Sequence, residues 1–164
     1  MARRQPSYRT SDLAPWVPAQ RRLVLVDIEN VVGGSSRSAC EVERALHDLQ
    51  RAVGHTEHDV WVTACGPALC ATAMCAFSSR VLLGRGIDGA DQCLLEQLSV
   101  ERVRGRFASV ALASGDARAF AQPVARLAAA GIPTDVFIGS GYIGASLYRV
   151  ARSVNHIRTA ARAA

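Results

Sequence analysis

The chain of 164 residues contains no lysine; all 19 of its basic residues are arginine, the coding bias of a GC-rich genome before it is a signal of function. Without lysine there is no Walker A loop to cradle a triphosphate, and no Gly-x-Gly-x-x-Gly follows the first strand to hold a dinucleotide. No apolar run approaches the roughly 18 residues of a membrane span, so none is expected. Arg3 and Arg4 have no apolar stretch behind them, which argues against a secretory signal. The five cysteines, Cys40, Cys65, Cys70, Cys75 and Cys93, include no Cys-x-x-Cys pair of a zinc or redox site. Free thiols in a reducing cytoplasm are the expectation, with cysteine acting as a small apolar residue. The four histidines, His47, His55, His58 and His156, have no spacing that argues for a metal cage.

Nearly half of the chain, 49%, is hydrophobic, which excludes wholesale disorder. The length suits one domain with a real core. Charge is unevenly spread. Residues 1–22 carry five Arg and one Asp, and residues 140–164 carry four Arg and no acid, whereas the middle holds ten Arg against thirteen acids. An acidic body with basic ends suits a polyanionic partner such as nucleic acid, and suits solubilising tails equally well.

Residues 1–20, with Pro6, Pro15 and Pro18, read as a loosely docked basic arm. Leu23–Asp27 is a short continuous apolar run, the mark of a strand buried on both faces. Ser38 and Glu41 form a capping box, followed by Val42, Ala45, Leu46, Leu49 and Val53 at helical spacing. Further strands are expected at 59–64, 81–83, 108–113 and 135–138, with helices from Pro67 to about Phe77, from Asp88 to about Val103, and over 117–130. A last helix is expected over 145–160, with Leu147, Val150, Val154 and Ile157 on one side and Arg149, Arg152 and His156 on another. Strands alternating with helices, and apolar runs in place of two-residue alternation, predict a doubly wound α/β fold with a mainly parallel, five-stranded sheet.

In such sheets ligands bind beyond the carboxyl ends of the strands. Asp27, Glu29 and Asn30 lie past the first strand, Asp88 and Asp91 past the third, and Asp116 past the fourth. Right-handed crossovers bring these three groups to one rim. Two carboxylates about 4 Å apart repel by roughly 4 kcal/mol at an effective dielectric near 20, so a shared rim calls for raised pKa values or a cation. Oxygen donors without histidine favour Mg²⁺ or Mn²⁺ over zinc. Each acid also has a plain structural explanation. Asp88 and Asp116 stand where helix caps would, Asp91 suits a helix's first turn, and Asn30 suits the turn before Gly33-Gly34. Asp27, at the tip of a buried strand with no evident cap to make, favours function. Glu29, two residues on along an extended chain, can share its direction or face solvent.

Three segments, "VDIENV", "GIDGADQCLLEQL" and "ASGDARAF", resemble in that order the motifs of the NYN domain, a branch of the PIN-like ribonucleases. The resemblance spans roughly residues 22–140. It implies a Rossmann-like three-layer sandwich, an acidic Mg²⁺ or Mn²⁺ pocket and RNA as substrate. Asp27 and Asn30 match the first motif, Asp88 or Asp91 the middle acid, and Asp116 the Ser-Gly-Asp turn. Many relatives carry a second aspartate two residues after that turn; here the place holds Arg118.

The expected activity is therefore a metal-dependent, cytoplasmic endoribonuclease. Asp27, Asp88, Asp91 and Asp116 would hold the ion, Asn30 would orient phosphate or water, and Arg149, Arg152 and Arg158 would hold the RNA backbone. The organisation expected is an arm over 1–20, a NYN/PIN-like domain over 21–140 and a basic C-terminal helix over 141–164. Tyr142 and Tyr148 read as packing more than as base-stacking residues. Two alternatives stand: an RNA-binding or regulatory module that has lost its chemistry, and a phosphohydrolase using Asp27 as nucleophile.

Overall fold

The computed structural model describes residues 21–76 and 79–157. Its sheet has six strands, not five: β1 (Arg22–Asp27), β2 (Asp59–Cys65), β3 (Arg80–Leu83), β4 (Ser109–Ala113), β5 (Thr134–Ile138) and β6 (Ser153–His156). Every pairing is parallel, in the order β3-β2-β1-β4-β5-β6. The helices are α1 (Ile28–Val32), α2 (Ala39–Val53), α3 (Pro67–Ala76), α4 (Gly89–Gln97), α5 (Val100–Val103), α6 (Ala117–Ala129) and α7 (Ala145–Val150).

Strand side chains point alternately to opposite faces, so a strand with apolar residues at every position needs cover on both. β1 shows this directly. Leu23 and Leu25 join a core with Leu94 of α4, Phe120, Val124 and Leu127 of α6, and Leu147 of α7. Val24 and Val26 join a second core with Val42, Leu46 and Leu49 of α2 and Leu69 of α3. Helices α1–α3 thus cover one face and α4–α7 the other. The capping box of α2 forms as expected: the Ser38 hydroxyl accepts from the Glu41 N–H at 3.3 Å, and the Glu41 carboxylate accepts from the Ser38 N–H at 2.9 Å.

Two expected helices end differently. The predicted 88–103 helix is two pieces, because Ser99 caps a new turn by accepting from the Arg102 N–H at 3.3 Å. Residue 77, at the expected end of α3, lies outside the described residues. The 145–160 helix stops at Val150. Ala151 turns extended, the Arg152 N–H donates to Thr134 O at 2.8 Å, and residues 153–156 pair with β5. His156 therefore does not share a helix face with Arg149 and Arg152.

Among the described residues no helix is long and apolar enough to cross a membrane. The thiols are free and only partly packing residues: Cys65 is buried, while Cys40 and Cys75 are exposed. All four histidines are exposed.

Candidate functional site

The strand order reverses direction between β1 and β4, and the crevice outside the carboxyl ends there is where ligands bind in open α/β sheets. A cleft of about 520 Å³ opens at this end of the sheet. Its lining includes Asp27, Glu29, Asn30, Asp88, Asp91 and Asp116. Every acidic candidate read from the sequence faces this one cavity. The remainder of the wall is small or backbone-like, with Ser35, Gly66, Pro67, Gly84, Gly86 and Gly89.

Asp27 ends β1 and is buried, with 6% of its surface exposed. Contrary to the expectation that it has no cap to make, it caps α1, accepting from the Asn30 N–H at 3.2 Å. Its other carboxylate oxygen accepts from the Ser114 hydroxyl at 3.1 Å. Ser114 is itself fully buried and accepts from the Asp116 N–H at 3.2 Å. One hydroxyl thereby links the first and third acidic motifs. Asn30 makes a second link: its Oδ1 accepts from the Gly115 N–H at 2.9 Å. A carbonyl oxygen must be the acceptor there, so the amide N–H groups of Asn30 are its remaining donors toward the cleft. With both oxygens of Asp27 engaged and the group buried, Asp27 is a poor nucleophile, which weighs against the phosphohydrolase reading.

Asp88 takes a left-handed backbone conformation, φ 56°, and makes no side-chain cap to α4. Its carboxylate meets the Arg118 guanidinium at 3.3 Å instead. Asp91, in the first turn of α4, is half-buried. Asp116 does cap its helix, accepting from the Arg118 and Ala119 N–H groups at 2.8 and 3.3 Å, and still lines the cleft. Glu29 is helical rather than extended, yet its carboxylate reaches the cleft wall. It lies 2.8 Å from where a Cβ on Gly66 would stand. Gly66 is the residue that admits it.

The electrostatics carry the strain of this crowding. Burial pushes the Asp27 carboxyl up to about 6; the Asn30 N–H opposes the rise, the Asp91 charge adds to it, the Ser114 hydroxyl opposes it and Glu29 adds again. Asp91 is raised too, first by burial and then by the charges of Asp116, Asp88 and Glu29, with Arg118 pulling it back. Among the described residues no group of three or more His, Cys, Asp or Glu side chains is arranged to hold a metal ion. The acids share a cleft without forming a ligand cage.

The raised Asp27 has a consequence for stability. A carboxyl that is harder to ionise in the folded state than at its ordinary 3.8 favours folding while protonated, and that advantage is lost as pH rises from about 4 to about 6. At about 1.4 kcal/mol per pH unit the loss is on the order of 3 kcal/mol. Burial would raise Asp59 and Asp135 as well, but their hydrogen bonds and nearby positive charges, those of Arg22 and Arg152 foremost, together outweigh it and hold both low, so these act only below pH 4. The expected result is a metal-free protein whose stability falls relative to Asp27→Asn across pH 4–6. Denaturant melts of the two proteins at matched pH measure it, and parallel curves would contradict it.

The arginines expected to hold RNA do not gather at this cleft. Arg152 is paired with Asp135 at the opposite, amino end of the sheet, where Nε donates at 2.8 Å. Arg149 is exposed in the last turn of α7. Arg158 lies outside the described residues. Arg118, read from sequence only as a missing acid, is the arginine the fold brings to the acidic rim. Ser114 is the other residue that sequence reasoning passed over; its position in Ser-Gly-Asp was the available signal.

No family model matches the chain, and no curated protein does. Among solved structures, the chain is similar to a crystal structure of a protein of unknown function from Vibrio parahaemolyticus RIMD 2210633. The two are 16% identical, with a TM-score of 0.55 over 85% of this chain and 93% of that one. The likeness concerns the fold.

Proposed function

We propose that the chain is a metal-dependent endoribonuclease of the NYN type, on a Rossmann-like, PIN-like three-layer sandwich. The observation that carries this reading is the convergence of Asp27, Asp88, Asp91 and Asp116 on one cleft at the switch point of the sheet. The strand order 3-2-1-4-5-6 with helices on both faces supports the Rossmann-like part.

The donor set suits a hard cation. It is all oxygen, it includes a buried carboxylate, and two of its members, Asp27 and Asp91, are harder to ionise than usual, first by burial and then by neighbouring negative charge. Asp27, Asp91 and Asp116 would hold Mg²⁺ or Mn²⁺, with Asp88 joining on release from Arg118. The ion would supply positive charge opposite a phosphodiester and a way to make water a better nucleophile at neutral pH. The protein's own residues do the rest. Ser114 and Asn30 fix the two acidic loops relative to each other, so little reorganisation is left for the moment of reaction. The glycines of the wall leave room for a sugar-phosphate backbone. Arg118, freed from Asp88, is placed to meet phosphate. RNA is the proposed substrate and the cytoplasm the proposed location.

A second reading has its own support. The Arg118–Asp88 pair and the lack of an arranged ligand group among the described residues favour an RNA-binding module without chemistry. Cleavage separates the two. A labelled single-stranded RNA incubated with the protein is expected to be cut when Mn²⁺ is present and spared when chelator is added. Intact RNA under both conditions, with binding retained, would select the module.

A further inference from the structure

Tyr142 is the most exposed of the large hydrophobic side chains among the described residues, at 95% of its surface. It does no packing, against the expectation from sequence. Its backbone, however, is firmly mounted. It lies in the loop Gly139–Gly144, between β5 and α7. On one side of it the Ser140 N–H donates to Val31 O at 3.0 Å, next to the helical turn that carries Asn30. On the other side the Gly144 N–H donates to Gly115 O at 3.1 Å, next to Asp116. The Tyr142 carbonyl comes so near Gly115 that a Cβ there would lie 2.5 Å from it. Gly139 likewise passes within 2.2 Å, by the same measure, of Val31 O. Neighbouring Ile143 packs against the core on the α4–α7 face. The loop is thus tied to both acid-bearing loops, while the ring it presents is left bare to water.

An exposed aromatic on a loop tied to the segments of Asn30 and Asp116, both of which line a cleft read as a phosphodiester site, is suited to one ligand chemistry above others. Every nucleobase has a π-face, and stacking on a tyrosine needs a base free of its own duplex stack. We propose that Tyr142 is a base-stacking subsite, which receives an unpaired base of the strand whose phosphate lies in the acidic cleft. The inference rests on the nucleic-acid reading above and narrows it to single-stranded substrate.

The test uses the full chain in chelator, so that binding is read without cleavage. The probes are a short fluorescein-labelled single-stranded RNA and the same strand annealed to its complement, followed by anisotropy. Tyr142→Ala is expected to weaken single-strand binding by at least about fivefold and to leave duplex binding unchanged. Tyr142→Phe, which keeps the ring, is expected to bind as wild type, and so is Tyr148→Ala on α7. Wild-type affinity in Tyr142→Ala would overturn the subsite, as would an equal loss for single strand and duplex. The two failures are distinguishable. A wild-type protein that cuts RNA with Mn²⁺ while Tyr142→Ala binds normally, or while neither probe binds in chelator, loses only the subsite; a wild-type protein that neither cuts RNA with Mn²⁺ nor binds either probe overturns both readings.

Discussion

Asp27→Asn is expected to lower RNA cleavage by a factor on the order of 10³, the scale seen when one preorganised charge-stabilising group is removed. The substitution keeps the shape. The carbonyl of the new carboxamide can still accept from the Asn30 N–H, and its NH₂ can donate to the Ser114 hydroxyl, which already sits within hydrogen-bond distance. What it removes is the buried negative charge. Because that charge is unfavourable in the metal-free fold, the variant should also melt higher than wild type at pH 7 in chelator. Lost activity together with gained stability cannot be attributed to misfolding. Asp116→Asn should lose activity similarly. An Asp27→Asn protein that cuts RNA at the wild-type rate would remove Asp27 from the site. Initial rates with Mn²⁺ in excess, paired with thermal melts, give both quantities.

Gly84→Ala is expected to destabilise the protein by about 3 kcal/mol, the upper part of the usual range for overpacking. In a protein of this size that is a fall in Tm of about 6–12 °C. Gly84 follows β3, and its α-carbon faces the start of α4. A Cβ there would stand 2.2 Å from the Ala90 nitrogen, 2.3 Å from the Gly89 carbonyl carbon and 2.6 Å from its oxygen. These are backbone atoms at the root of a helix, with no flexible side chain to yield. The methyl group would push the first turn of α4 outward, and with it Asp88 and Asp91. Gly86→Ala is the comparison. Gly86 also lines the cleft, has φ 76° and nothing within 4 Å of an added methyl, so only the left-handed backbone is penalised, by about 1–2 kcal/mol. Thermal melts of both variants decide it; equal Tm values would show that β3 and α4 do not cross as tightly as described.

What could be read beforehand follows from how local each signal is. Leu23–Val26 names its own strand, because four consecutive apolar residues ending in an acid have few other uses. Ser38 and Glu41 name the start of α2, since both partners of the capping box lie within one turn. The convergence of the acids on one rim was also legible, because crossover handedness turns strand order into position. The turn α1 was within reach as well: Asp27 as cap, Glu29 in the first turn and Gly33 at φ 78° are ordinary helix punctuation. It was obscured by reading Asp27 only as a strand tip. β6 was obscured differently. Leu147, Val150, Val154 and Ile157 have helical spacing, and their neighbours do not contradict it; the pairing with β5 decides the matter, and that pairing is a property of the sheet. The hydrogen bond from Ser114 to Asp27 joins residues 87 apart, and the Arg118–Asp88 contact joins residues 30 apart. No window along the chain contains either.

Asp88 is the one described non-glycine residue at positive φ. Glycine would adopt that backbone without penalty, whereas an L-residue with a β-carbon gives up about 1–2 kcal/mol to do so. The carboxylate recovers little of this, since its ion pair with Arg118 is exposed to solvent. At this corner the chain therefore sits below its own thermodynamic optimum. A variant library selected for heat resistance alone would drift toward glycine here, and one selected for the proposed RNA cleavage is expected to keep the acid.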